Sequence, residues 1–122
     1  MTTINGIAKN EWAEFLQAFT RRNHNRRARF QFFGRSDVRE ERQEGHLESV
    51  TVETDGDDAP RVLVKRRDES GAEPQAMLQT IPRVRRISVQ YDTDSSEDAL
   101  EIEDAQGTMI MLRMESKVDG AS

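Results

Sequence analysis

His24 and His46 are the only imidazoles in the chain, and no cysteine accompanies them. A catalytic zinc site needs three protein ligands, commonly including two histidines at short spacing. These two lie 22 positions apart and neither sits in an HxxxH pattern. Without cysteine there is no thiolate ligand, no thiol nucleophile and no disulfide framework. The serines occupy no GxSxG elbow, and no glycine-rich loop precedes a helix, so a phosphate or dinucleotide cradle is absent. The stretch DTDSSEDALEIE invites a calcium reading. Counted from Asp92, Asp94 falls at position three, Ser96 at five and Glu103 at twelve, as an EF-hand loop requires. Position six, however, is Glu97 where glycine makes the sharp bend, and the residues that follow alternate like a strand. TDGDD fails sooner: from Asp55, Ala59 and Arg61 stand at positions five and seven. Glu101 and Glu103 share a strand face as an acid pair would, but with Arg113 expected across the strand they read as a solvated surface. No catalytic residue, metal or cofactor is expected, and no small-molecule ligand.

The second constellation is RRNHNRRARFQFFGR, residues 21–35, with six arginines, three phenylalanines and no carboxylate. Arginines interleaved with aromatics suit nucleic acid, because guanidinium groups meet phosphates while rings stack on bases. The candidate patch is Arg26, Arg27, Arg29 and Phe33, with Arg85 and Arg86 if their strand lies nearby. The structural reading gives the same residues other duties. Arg21 and Arg22 complement a helix dipole. Ala28, Phe30 and Phe32 alternate into a core, out of phase with Arg29 and Gln31; only Phe33 shares the face of Arg29. A net charge of −5 argues against a general nucleic-acid coat. A third feature is Met109 and Met111 in TMIMLRM, on the face opposite Ile110 and Leu112. They lie beneath a helix or loop, or form an adaptable apolar contact.

These residues need elements to hold them. In NEWAEFLQAFTRR, Trp12, Phe15, Leu16 and Phe19 fall at i, i+3, i+4 and i+7, one face of an amphipathic helix. Asn10 is the expected N-cap and Asn23 or Asn25 the left-handed exit. Then the period drops to two. Strands are predicted at 28–33, at HLESVTVET with Val50 and Val52 inward, at RVLVKRR with Val62 and Val64 inward, and at VRRISVQY with Ile87, Val89 and Tyr91 together. QAMLQTI reads as a short strand stopped by Pro82, and VREERQE as a twisted edge strand. ALEIED and TMIMLRM flank AQG as a hairpin, with Leu100 and Ile102 facing Ile110, Leu112 and Met114. The expected class is α+β, mostly β: an N-terminal amphipathic helix packed on a small antiparallel sheet or barrel of about six or seven strands. One domain spans 10–115, with 1–9 a flexible N-terminal segment and 116–122 a flexible tail.

EWAEFLQAFTRRN, ARFQFFG, TIPRVRRISVQ and DALEIEDAQGTMIMLRM together resemble the uncharacterised bacterial family called domain of unknown function 5335, over most of residues 10–115. The middle, from Ser36 to Glu73, departs from it: GHLESV stands where the family tends to carry a Pro-Leu and Gly-Ile turn. The resemblance implies no activity, cofactor or catalytic residue.

The start MTTINGIAKNEW lacks a signal peptide's apolar run, and no stretch approaches the roughly 18 apolar residues of a membrane span. A cytoplasmic location is expected. At 122 residues the chain buries enough surface for one core without staples. The leading expectation is a non-enzymatic domain acting through protein contact or self-association, carried by sheet edges and by Met109 and Met111. The alternative is an RNA- or DNA-binding small barrel using the arginine patch. A third is an enzyme whose site gathers scattered carboxylates with His24 or His46.

Overall fold

A computed structural model describes residues 3–115. The chain runs β1 (Thr3–Ile7), a 3-10 turn (Lys9–Glu11), α1 (Trp12–Asn23), β2 (Arg27–Phe33), β3 (Val38–Glu40), β4 (Gly45–Glu53), β5 (Arg61–Asp68), β6 (Gln75–Ile81), β7 (Val84–Tyr91), β8 (Glu97–Asp104) and β9 (Met109–Met114). The nine strands form one antiparallel sheet in the order β1-β7-β8-β9-β2-β4-β5-β6, with β3 attached to β2. The class is as expected, α+β and mostly β, but the strands number nine and the sheet stays open, ending on β1 and β6.

The first correction concerns residues 1–9. Thr3–Ile7 is a paired strand, in register from Thr3↔Tyr91 to Ile7↔Ile87. TINGI lacks strict alternation, so its partner, far along the chain, decides its conformation. The expected tail at 116–122 lies outside the described residues. Asn10 does not cap α1; it sits inside the 3-10 turn, where the Glu11 N–H bonds the Ala8 carbonyl at 2.8 Å. The chain leaves the helix through Asn25, at φ 70°, where an asparagine tolerates the left-handed region.

Trp12, Leu16 and Phe19 of α1 are buried and Phe15 packs against the core they join. Each fully buried ring or leucine contributes about 1.5–3 kcal/mol. The Thr20 hydroxyl ties the helix to the sheet, accepting from Val50 N–H at 2.9 Å and donating to the Leu16 carbonyl at 2.8 Å. From the sheet, Ala28 and Phe30 meet Leu47, Val50, Val62, Val64, Ile87, Val89, Leu100, Ile102 and Leu112, all fully buried. The hairpin register is as expected, with Leu100↔Leu112 and Ile102↔Ile110.

β6 and β7 are joined by Pro82 and Arg83 alone, yet they lie near opposite ends of the hydrogen-bonded path. The sheet must therefore curl until its ends approach, and the core fills the trough. The seam of the curl is β2 with β4, which pair only as Arg27↔His46 and Ala28↔Gly45. Beyond it the two strands splay. At the seam a Cβ on Gly45 would come within 2.9 Å of Arg66 Cβ, so only glycine lets Arg66 pass.

Candidate contact surfaces

Four of the six arginines in the 21–35 stretch, Arg22, Arg26, Arg27 and Arg29, are engaged within the molecule. Arg26 donates to Asn23 Oδ1 at 2.8 Å, to the Glu97 carbonyl at 2.8 Å and to the Glu115 carbonyl. Burial pushes the Arg26 guanidinium below its ordinary pKa, against the nearby charges of Glu97, Asp98, Asp94 and Glu115. Arg27 pairs with Glu115, and Arg29 with Glu40 at 3.3 Å and Glu44 at 3.8 Å. Arg85 and Arg86 both reach Glu103. The two arginine groups do not converge: Arg86 on β7 lies three strand spacings, about 14 Å, across the sheet from β2 and in the row of Phe33, four residues along that strand from Arg29.

Two buried polar clusters were not legible as such. In the first, Glu97 is 6% exposed and takes both Arg22 nitrogens at 2.9 and 2.7 Å, plus Asn23 Nδ2 at 2.9 Å. This clamps the end of α1 to β8. In the second, Arg66 is 2% exposed, forks onto Glu41 at 2.7 and 2.8 Å, donates to the Ala28 carbonyl at 3.1 Å and lies 4.6 Å above the Phe30 ring. Glu41 also serves the backbone of β2 where β4 has splayed away. It accepts the Phe30 N–H at 2.9 Å and returns its own N–H to the Phe30 carbonyl at 2.9 Å. Burial drives the Glu41 carboxyl up, but the Arg66 and Phe30 hydrogen bonds and the charges of Arg66 and Arg29 leave it below its ordinary value. One signal existed: Arg66 continues the inward phase of Val62 and Val64.

The outer face of the sheet carries the residues singled out for contact. Registers place Arg86, Glu103, Met109, Phe33 and Val38 in one cross-strand row, and Glu101, Met111, Gln31 and Glu40 in the next. Phe33, expected beside arginine for stacking, thus lies between Met109 and Val38. Met109, Met111 and Phe33 are half-buried, whereas Val38 is 66% exposed. Arg113 stands across from Ala99 and contacts Asp98 and Gln31. The residues across from Glu101 and Glu103 are the methionines, which corrects the expected pairing.

The large exposed apolar side chains are Ile4, Val38 and Leu78, at 57, 66 and 59%. Each sits on an edge strand: β1, β3 and β6. The five residues of β1 and the seven of β6 include no charge, although 34% of the chain is charged. Natural edges are ordinarily guarded by charge, bulge or proline. β6 runs in unbroken register against β5, from Val62↔Ile81 to Asp68↔Gln75, without a bulge. Its prolines stand outside it, Pro74 before and Pro82 after. The sequence contained this signal, an uncharged run between two of its three prolines, and short-strand assignment alone overlooked it.

The enzyme-like features are dispersed. His24 is exposed after the helix, and His46 lies in β4 with Nδ1 3.6 Å from Glu69. Among the described residues no group of three or more His, Asp or Glu side chains is arranged to hold a metal. In the Asp92 hairpin, Asp94 accepts from the backbone and hydroxyl of Ser96. Five carboxyls are held below their ordinary values: Asp58 beside Arg61, Asp68 under the Ser70 amide, Glu69 beside Arg67, Glu103 beside Arg85, and Glu41. General-acid duty needs the opposite direction. Of the surface hollows, one of about 430 Å³ between α1 and β4 is lined by Ala13, Gln17, Thr20, Arg21 and residues 49–52. It offers no carboxylate and no imidazole. No helix among the described residues is long and apolar enough to cross a membrane.

Comparisons of the chain with protein-family models, curated proteins and solved structures returned no match.

Proposed function

We propose that this chain is a non-enzymatic protein-contact domain that works by strand addition, taking an extended partner segment along β6. The observation that carries the reading is the bare edge itself. β6 presents an uncharged, unbulged strand with a 59%-exposed leucine at its centre. An added strand satisfies the unpaired backbone groups of the edge, and alternate side chains supply selectivity. The half-buried Met109, Met111 and Phe33 give the outer face a secondary apolar contact. The resemblance to domain of unknown function 5335, which we propose as the family, fits a role without chemistry.

The test is selection of short extended peptides from a random library, followed by hydrogen exchange on the complex. Selected peptides are expected to slow exchange along Gln75–Ile81 and to lose binding to Leu78→Lys. Recovery of no binder, or of binders that leave those amides unprotected, overturns the reading.

A further inference from the structure

Resting on the strand-addition reading, we infer that the segment β6 accepts is β6 of a second copy, paired antiparallel about a two-fold axis through Leu78. Three observations point to this occupant. The strand Gln75–Ile81 has Leu78 as its middle residue. Two copies paired about that residue put Leu78 against Leu78, Met77 against Gln79, Ala76 against Thr80 and Gln75 against Ile81, with no charge opposed to its like. The prolines obey the same symmetry. Pro74 and Pro82 are equidistant from Leu78, so each copy's Pro74 meets the other's Pro82 at the ends of the ladder. Proline has no N–H to donate, and both ends of the pairing stop together. The charges obey it too. Glu73 and Arg83 flank the prolines, again equidistant from Leu78. Both are exposed. Among the described residues neither side chain makes an ion pair within 4 Å; Arg83 acts within the chain only as a minor charge near Asp58. In the two-fold arrangement the Glu73 carboxylate of each copy comes to the turn carrying Arg83 of the other, giving two intermolecular pairs.

Lys65, which lies beside Leu78 on β5, does not oppose the arrangement. Its counterpart in the second copy is three strand spacings away, about 14 Å, beyond the screening length of roughly 8 Å at physiological salt. The other bare edge, β1, offers a head-to-tail alternative with β6. That contact does not close and would give a growing filament, whereas the β6 pair is self-complementary and stops at two.

Sedimentation velocity from micromolar to millimolar chain is the experiment. The wild-type chain is expected to pass from monomer to dimer and no further. Leu78→Lys, which sets two ammonium groups together on the axis, is expected to stay monomeric with an unchanged circular dichroism spectrum. Should that variant fail to fold, Thr80→Lys on the same exposed row takes its place. Glu73→Arg and Arg83→Glu are each expected to weaken dimerisation about 2- to 30-fold, the worth of two exposed ion pairs. Mixed together they should form a heterodimer, because each of its two ends then pairs an arginine with a glutamate. A strictly monomeric wild type, a dimer indifferent to Leu78→Lys, or a mixture with no gain over its components overturns the inference. A monomer whose β6 amides are still protected by selected peptides would remove the second copy and leave strand addition standing.

Discussion

Removing the Glu41 carboxylate tests how the β2–β4 seam is held. In Glu41→Ala, Arg66 keeps its place beneath the sheet, since its side chain is 3% exposed and its strand, β5, is paired on both sides. It loses two hydrogen bonds of 2.7 and 2.8 Å and retains one to the Ala28 carbonyl. Breaking a buried pair by deleting one partner costs about 3–5 kcal/mol. The Glu41 side chain is 26% exposed, so water can enter where it stood, and the low end applies. The Phe30 N–H loses its acceptor as well, which adds about 1 kcal/mol, so about 4 kcal/mol is the expected total, read as a urea midpoint lower by roughly 1.3–4 M. Fluorescence of Trp12, the single tryptophan, reports the transition. Arg66→Met should cost less, because it removes the buried charge and leaves a carboxylate that reaches water. In the double variant Glu41→Gln/Arg66→Met, the loss should be no greater than in Arg66→Met alone, as expected when a buried pair is removed whole. The pH dependence has a fixed sign. A carboxyl held below its ordinary value of 4.5 adds stability above that value and loses it as pH falls through the folded value. Glu41→Gln should remove that part of the acid limb. A Glu41→Ala variant within 1 kcal/mol of wild type, or costs that add in the double variant, would refute the argument.

Three further outcomes follow from the same geometry. Phe30→Ala should cost about 3–5 kcal/mol because the ring is fully buried, and Arg29→Ala no more than about 1 kcal/mol because its pairs are exposed; equal losses in urea titrations would show the strand phase to be wrong. Thr20→Val should cost about 1–3 kcal/mol by stranding the Val50 N–H, and a neutral result would mean that another group serves that amide. Fluorescence anisotropy of single-stranded oligonucleotides should stay flat at low salt, since Arg27, Arg29, Arg85 and Arg86 each face a carboxylate; a rise with a steep salt slope would restore the arginine patch.

The parts of the fold written in the sequence are those set by local period. The Trp12–Leu16–Phe19 stripe, the inward Phe30 and the Leu100–Ile102 hairpin phase all follow from spacing, because one face of each element must leave water. Strand order does not follow from spacing. β1 pairs with β7 and β2 with β9, partners separated by most of the chain, and alternation specifies a face but not a neighbour. Arg113 was placed opposite the wrong residues even within a correctly expected hairpin: it shares a face with Glu101 and Glu103 but stands across from Ala99, because alternation gives the face and not the residue opposite. The buried Arg66 and Glu97, and the half-buried Glu41, escaped because charge reads as surface until a partner across the fold is known. The arginine strip shows the same limit: its residue types suit nucleic acid, and only the folded chain brings Glu97, Glu115 and Glu40 to meet it.

The place of β2 has a consequence for how the protein is made. This strand lies at the centre of the sheet, yet one of its neighbours, β9, is made after the other eight described strands. β1 and α1 are made well before it, and β1 waits for β7 through roughly eighty residues, about 4–16 s at ribosomal speeds. The middle of the sheet is therefore assembled only once Met109–Met114 has been made. A nascent chain halted before Met109 would hold β2 and β8 with one side each unfilled, two newly exposed borders where the finished molecule has none.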